Sequence, residues 1–413
     1  MADMTISGVS ISGGFTLTLP PTVPGAPTIG VATATGETTA TVTFTAPVNN
    51  GGATITSYTA TSSPSGITGT LSQAGSGTIN MTGLTASTSY TFTVTATNSV
   101  GTSSPSASSN SITTDAPPIV VLPTQKAIFG YGFDNNNLSI TNLVSDTGVV
   151  GNDVTGVGTG RTGPAAAGYG TDKAIFGYGT ITFGAGVQSM TNLVSNTGVV
   201  ANDTAGVGPA KGALAAAGYG GDKAIFGYGN NGSTNVSITN LVSNTGVVAS
   251  DTAGVGTARY GLAAAGYGGF GKAIFGYGDA GGVVSMTNLI SDTGVVATDT
   301  TGVGTARRLL AAASYGTNKA IFGYGTTGSL TTITNLVSNT GVVATDTSGV
   351  GTARFNIAAA GYGADKAIFG YGWTGTTNGS MTNLVSNTGV VASDTTGVGT
   401  ARQSPGAAGY SLT

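Results

Sequence analysis

Six aspartates, Asp153, Asp203, Asp251, Asp299, Asp346 and Asp394, recur at near-regular intervals, and a basic residue follows each by eight positions: Arg161, Lys211, Arg259, Arg307, Arg354 and Arg402. Rings of alternating carboxylates and cations can line a channel mouth and hold an ion or an acidic ligand. The same spacing also suits a salt bridge or a loop cap repeated in every unit, and strict repetition favours that structural role. The chain has no Cys and no His. Thiol nucleophiles, imidazole bases and the commonest zinc sites are therefore excluded. Acid–base catalysis would fall to Asp or Tyr, and no two carboxylates stand apart from the repeat. No catalytic residue, metal or cofactor is assigned, and the chain is expected not to be an enzyme.

A second set of residues is suited to binding. Phe133, Phe183, Tyr260, Phe355 and Trp373, the one Trp in the chain, lie in stretches where otherwise near-identical units differ. Large aromatic side chains on variable loops commonly anchor contacts. The bland reading is relaxed constraint on surface loops; the sharper one is a binding face.

These residues are positioned by a repeat. Lys-Ala-Ile-Phe-Gly-Tyr-Gly begins at Lys126, Lys173, Lys223, Lys272, Lys319 and Lys366, with starts 47, 50, 49, 47 and 47 residues apart. A fixed period of this size means stacked units. Each unit predicts four strands: a small-residue strand (Ala215 to Tyr219 in the second unit), an apolar strand (Lys223 to Tyr228), and strands over Ser237 to Ser243 and Val247 to Thr252. Two-residue links such as Gly221-Asp222 predict tight hairpins. Alternating strand direction brings the loop after the apolar strand and the segment after the basic residue to one face. The repeat opens on an apolar strand and ends, at Gly406 to Tyr410, on a small-residue strand. The two complete a unit, which predicts six blades closed by the C-terminal strand.

Composition agrees with strands and turns. Gly numbers 71, charged residues make up 7% and net charge is −3, which argues against a nucleic-acid partner. The six repeat lysines, the six repeated basic positions and Arg308 account for all thirteen cations. No run of about 18 apolar residues predicts a membrane span. Residues 1–20 lack a basic segment before an apolar core, so no signal peptide is expected. Their alternation predicts a hairpin, which either packs on the next domain or anchors the chain to a partner subunit. Residues 118–125, with Pro118 and Pro123, predict a stiff connector. The absence of Cys leaves the redox compartment open.

Residues 21–117 carry short β-rich runs, Ala40 to Thr45, Thr54 to Thr61, Thr78 to Met81 and Ser89 to Thr97, spaced as in a sandwich. Leu84, Tyr90 and the run Thr91 to Asn98, with Pro24-Gly25-Ala26-Pro27 before them, resemble a fibronectin type III domain. The resemblance implies that Tyr90 bonds back to the chain and that Phe44 stands where the family usually has Trp. Residues 126–413 resemble kelch repeats in strand order, with Gly-Tyr-Gly where kelch repeats carry Gly-Gly and without their late Trp. The expected fold is all-β: a fibronectin type III-like sandwich followed by a six-bladed kelch-like β-propeller.

This combination looks like bacteriophage virion proteins: tail fibres, receptor-binding proteins or capsid decorations. It implies a virion location, contact with other virion proteins through the N-terminal region, and contact with a host surface glycan or protein through the propeller. A homo-oligomer is among the expected assemblies. The alternative is a secreted or cell-surface bacterial adhesin of lectin-like character.

Overall fold

The computed structural model describes residues 20–115, 126–182, 185–269 and 271–411. The expected N-terminal hairpin, the Pro-rich connector and Phe183 lie outside the described residues. The chain divides into two compact units, Met1–Pro118 and Ile119–Thr413. Both are built from strands, and no helix occurs among the described residues.

The first unit is a two-sheet sandwich. Strands β1 (Thr28–Ala34), β2 (Ala40–Thr45) and β5 (Gly77–Met81) form one sheet in the order β1-β2-β5. Strands β3 (Ile55–Ser63), β4 (Thr68–Leu71), β6 (Ser89–Asn98) and β7 (Ile112–Thr113) form the other in the order β4-β3-β6-β7. Alternation fixes the inward set: every second residue of β6, from Tyr90 to Asn98, is buried, as a pleated strand requires. Phe44 and Tyr58 meet at 4.2 Å between ring centroids. The Tyr90 hydroxyl accepts the Thr85 N–H at 3.0 Å, which ties the loop before β6 to the core. The exposed side of β6 is covered by an element the sequence patterning missed. Ser103, Ser106 and Ser109 each donate their N–H to a β6 carbonyl. Each hydroxyl accepts the N–H of the same β6 residue, Ala96, Val94 and Phe92, at 2.9–3.0 Å. Three-residue spacing is the period of an extended left-handed chain, not of the alternation a strand search detects.

The second unit contains six three-stranded antiparallel sheets among the described residues. In one of them Ala215–Tyr219 pairs with Lys223–Gly227, which pairs with Thr239–Val242. Corresponding strands of four other units repeat this order. The sixth sheet joins distant ends of the sequence: Gly406–Tyr410 pairs with Lys126–Phe133, which pairs with Asn137–Val144.

Three details differ from the expected four-stranded unit. Pairing ends at Tyr219↔Lys223, so the first hairpin loop holds three residues rather than two. Tyr228 lies beyond its strand, at a φ of 63°, and its hydroxyl donates to the Val255 carbonyl at 2.9 Å. The fourth strand is reduced to two bridges, Thr239↔Thr252 and Val242↔Val248. The cause lies in Asn240, whose side-chain amide donates to the Ala249 carbonyl at 3.1 Å and so occupies an acceptor that a continuous ladder would use.

Each sheet packs on the next through its middle strand. The Phe275 ring rests on Gly227 of the preceding sheet, where an added Cβ would stand 2.6 Å from Cζ. Phe226 rests on Gly177, Phe322 on Gly276, Phe369 on Gly323, Phe129 on Gly370 and Phe176 on Gly130 in the same way. Edge-to-face contact with the neighbouring Tyr accompanies each, as in Tyr228–Phe275 at 5.1 Å. Such a pair adds about 1 kcal/mol to the burial of the rings. The first strands also approach closely. The Gly218 Cα faces the Gly168 carbonyl, and Ser314, standing where other units have Gly, donates its hydroxyl to the Gly266 carbonyl at 2.8 Å.

Gly227 has an ordinary φ, so its requirement is space alone. Gly227→Ala should overpack the Phe275 seam and lower stability by about 1–3 kcal/mol. Chemical denaturation reads this directly, and an unchanged midpoint would contradict the packing described.

Candidate binding face

The loops that differ between units are joined by main-chain pairs. The residue after each repeated cation pairs with a residue in the loop after a middle strand: Thr162↔Thr180, Gly212↔Asn230, Tyr260↔Asp279, Arg308↔Thr326, Phe355↔Trp373 and Phe133↔Gln403. Only main-chain atoms make these pairs, so the side chains are free to differ. The expected aromatics Phe133, Tyr260, Phe355 and Trp373 all occupy these positions. They are half-buried rather than fully exposed, because the pairing lays each loop against its neighbour. Phe355 and Trp373 are brought together by N–H···O bonds of 3.1 and 2.8 Å. Tyr260 belongs to a different cluster, in which Arg308 donates to its hydroxyl and to Asp279.

The next residue in each unit is left-handed: Gly163, Ala213, Gly261, Leu309, Asn356 and Ser404 have φ of 48–62°. Their backbones form a chain of bonds: Gly163 N–H to Ser404, Ser404 to Asn356, Asn356 to Leu309, Leu309 to Gly261 and Gly261 to Ala213, at 2.7–2.9 Å. Side chains other than glycine adopt this conformation at a cost of about 1 kcal/mol. The six segments together border one cavity of about 520 Å³. Sequence patterning did not reveal it, because its shape comes from backbone conformation and from small residues.

The aspartates and cations form a network across sheets. The expected partners, eight residues apart in one unit, are not paired. Arg161 instead faces Asp203 of the next unit, Arg259 faces Asp299 and Arg354 faces Asp394, at 3.7–3.8 Å. Asp153 has Arg402 as its cation. The physical reason is that the segment bearing the cation turns toward the following sheet. There an Asn completes a relay: Arg259 Nη2 donates to Asn288 Oδ1 at 2.6 Å, and Asn288 Nδ2 donates to Asp299 Oδ1 at 2.9 Å. Arg161, Arg354 and Arg402 meet Asn192, Asn383 and Asn142 in the same way, at 2.5–2.7 Å. Arg307 donates to the Tyr324 and Thr305 carbonyls, beside Asp346. These arginines are fully buried. Each lies over a Tyr ring, 4.5 Å from guanidinium carbon to centroid for Arg259 on Tyr228.

Thr257 completes the aspartate's shell, donating its N–H and hydroxyl to Asp299 Oδ2 at 2.9 and 2.6 Å. Gly256 is held at a φ of 70°, and a Cβ there would stand 2.4 Å from Asp299 Oδ1, which accounts for the second glycine of the repeated Gly-Val-Gly. Burial raises the carboxyl pKa of Asp299, and the bonds from Thr257 and Asn288 with the Arg259 charge more than offset it, leaving the pKa below the usual range. Asp153, Asp203, Asp346 and Asp394 shift in the same direction for the same causes. Each carboxylate is held within its own junction, and no group of three His, Cys, Asp or Glu side chains is gathered among the described residues.

The junction after the second repeat departs from this scheme. Pro209 replaces the Thr and Lys211 the Arg. Pro209 offers Asp251 neither N–H nor hydroxyl. Lys211 makes one hydrogen bond to Asn240, at 2.7 Å, where an Arg makes several. Burial, only partly offset by Asp251, pushes the Lys211 pKa down from 10.5 to about 8.

Below about pH 8 this lysine is charged in both folded and unfolded states, and folding bears the full burial cost. Between about 8 and its ordinary value the folded state releases a proton that the unfolded state keeps, so stability should rise with pH across that window. Pro209→Thr with Lys211→Arg should remove that rise and add about 1–2 kcal/mol near neutral pH. Denaturation at pH 7 and pH 9.5 tests both parts; a variant no more stable than the parent would contradict the junction described.

Residues 25–112 match the fibronectin type III domain family, so the sandwich is a fibronectin type III domain. No curated protein matches the chain in sequence. Among solved structures, a fungal alcohol oxidase in complex with copper is similar at 13% identity and a TM-score of 0.42, over 67% of this chain and 64% of that one. Three successive domains of titin are similar at 27% identity and a TM-score of 0.19, over 23% of this chain and 32% of that one. The chain thus spans less than two thirds of the length of either. The oxidase overturns the expectation that the chain is not an enzyme, which is not kept. At this identity and TM-score the likeness assigns no reaction.

Proposed function

We propose that the chain is a structural component of a bacteriophage virion, a fibre or a surface-displayed host-attachment protein. Its N-terminal residues contact other virion proteins, and the repeat unit serves as the binding platform. The six sheets are read as the blades of a closed, kelch-like β-propeller. Two observations support that reading: the first and last strands of the repeat share one sheet, and Phe129 of that sheet seats on Gly370 as every other Phe seats on its predecessor. The observation that carries the binding function is the set of six equivalent main-chain pairs. Variation confined to side chains on a fixed frame is the arrangement of a recognition surface.

Closure has its own test. Removing residues 404–413 should expose the edge of Lys126–Phe133, giving aggregation or faster proteolysis; a truncated chain that stays monomeric with an unchanged melting temperature would sink the closed reading. The attachment role is tested on particles. Trp373→Ala with Phe133→Ala should reduce adsorption to host cells at least tenfold, since truncating a true anchor costs about 2 kcal/mol or more. Asp222→Ala and Asn244→Ala, in turns away from these pairs, should leave adsorption unchanged. Adsorption that responds to the turn changes and not to the aromatic ones would reverse the assignment.

A further inference from the structure

Lys211 is an amine in a position that five other junctions fill with a guanidinium. Arg stays protonated in proteins and is no nucleophile, whereas a desolvated Lys becomes one when it loses its proton. The neighbours of Lys211 supply the rest of a reaction. Lys211 and Asn240 have no exposed surface. Lys211 Nζ lies 2.7 Å from Asn240 Oδ1, one bond away from the carboxamide carbon. The Tyr178 ring also packs against it, with its centroid 4.8 Å from Nζ. Asn240 Nδ2 donates to the Ala249 carbonyl and to Asp251 Oδ1, at 3.1 and 2.7 Å, which fixes the plane of the carboxamide. Amine, carboxamide and carboxyl group thus stand in series, and of the three only Asp251 is exposed to solvent. At a neighbouring junction Thr257 donates both its N–H and its hydroxyl to Asp299 Oδ2. Pro209 leaves Asp251 without those two donors.

We propose that Lys211 and Asn240 close an amide bond between their side chains. The neutral Nζ attacks Asn240 Cγ, and the bond from Cγ to Nδ2 breaks. Nζ gives up one proton, Nδ2 gains one, and ammonia leaves. Asp251, already bonded to Nδ2, carries that proton across. Amine and carboxamide become secondary amide and ammonia, so the balance needs no oxidant, nucleotide or metal. Holding the two groups in contact within the fold takes the place of chemical activation. Burial lowers the amine's pKa to about 8, which supplies the neutral form in mild alkali. Two titratable groups face it: Asp251, which opposes that shift, and Tyr178, kept neutral by its own burial. The bond runs from the segment bearing Lys211 to the strand Thr239–Val242 of the following sheet. It ties two sheets covalently at the junction with the fewest hydrogen bonds from its cation. The rise of stability with pH belongs to the chain before closure, since a linked chain has no amine there to titrate.

Mass spectrometry of the purified full chain tests this. On isolation, or after incubation at pH 9.5, above the amine's pKa of about 8, the intact mass should be lower than the sequence by one ammonia. Trypsin should no longer cut after Lys211, and the peptide 174–223 should be joined to 224–259. An unchanged mass with free cleavage after Lys211 overturns the proposal. Ammonia loss that maps to Asn231-Gly232 overturns it too, because succinimide formation there gives the same mass without a link. Lys211→Arg, which restores the residue of the other junctions, should fold and show neither the deficit nor the joined peptides. A deficit that persists in that variant rules the amine out. Asp251→Ala removes an exposed side chain and should be isolated unlinked, or close about a hundredfold more slowly. Closure at the parent's rate in Asp251→Ala would take the carboxyl group out of the reaction.

Discussion

A guanidinium with no exposed surface is costly unless most of its donors are met, since a buried unpaired charge costs several kcal/mol; here only Arg307 Nη2 and Arg402 Nε lack a partner among the described residues. That constraint organises the repeat unit. Arg259 reaches the Tyr277 carbonyl and Asn288 of the following sheet and the Thr257 carbonyl of its own segment. Asn288 in turn holds Asp299, and Thr257 and Gly256 shape the aspartate's surroundings. One buried cation thus accounts for why Asn, Asp, Thr and the glycine before that Thr recur together. It also accounts for why the sheets do not drift relative to one another: the arginine stacks on a Tyr beside one sheet, and its hydrogen-bond partners belong to the next.

The apolar seam and the polar relay divide the labour. Phe on Gly and Tyr edge-to-face with Phe provide area and shape between middle strands. The Arg–Asn–Asp relay provides direction, because hydrogen bonds fail when geometry shifts by a few tenths of an ångström. The junction that carries Lys211 and Pro209 retains the seam, with Phe226 seated on Gly177, and has a thinner relay.

Much of this was legible in sequence where alternation controls structure. The strand read over Ala215 to Tyr219 coincides with the observed one, and Tyr90 bonds back to Thr85 as the family resemblance implied. Reading failed where side chains compete with the backbone or where distance along the chain misleads. The fourth strand dissolves because Asn240 takes a ladder carbonyl. Tyr228 leaves its strand for a left-handed turn that alternation does not encode. Asp and Arg eight residues apart look like partners, yet each finds its partner across a sheet boundary that the repeat period hides.

The left-handed segments bear on how such a chain can change over generations. Their mutual bonds and those of the paired loops involve only N–H and C=O groups, so a substitution at Thr162, Tyr260, Arg308 or Phe355 alters what the surface displays without breaking the frame. The one position that resists is the left-handed residue itself. Gly163 and Gly261 occupy it freely, whereas Ala213, Leu309, Asn356 and Ser404 hold it under strain. Diversification of this surface is therefore graded: widest at the paired residue before the turn, taxed at its apex in proportion to how many units abandon glycine, and confined after it to buried residues such as Leu214 and Ile357.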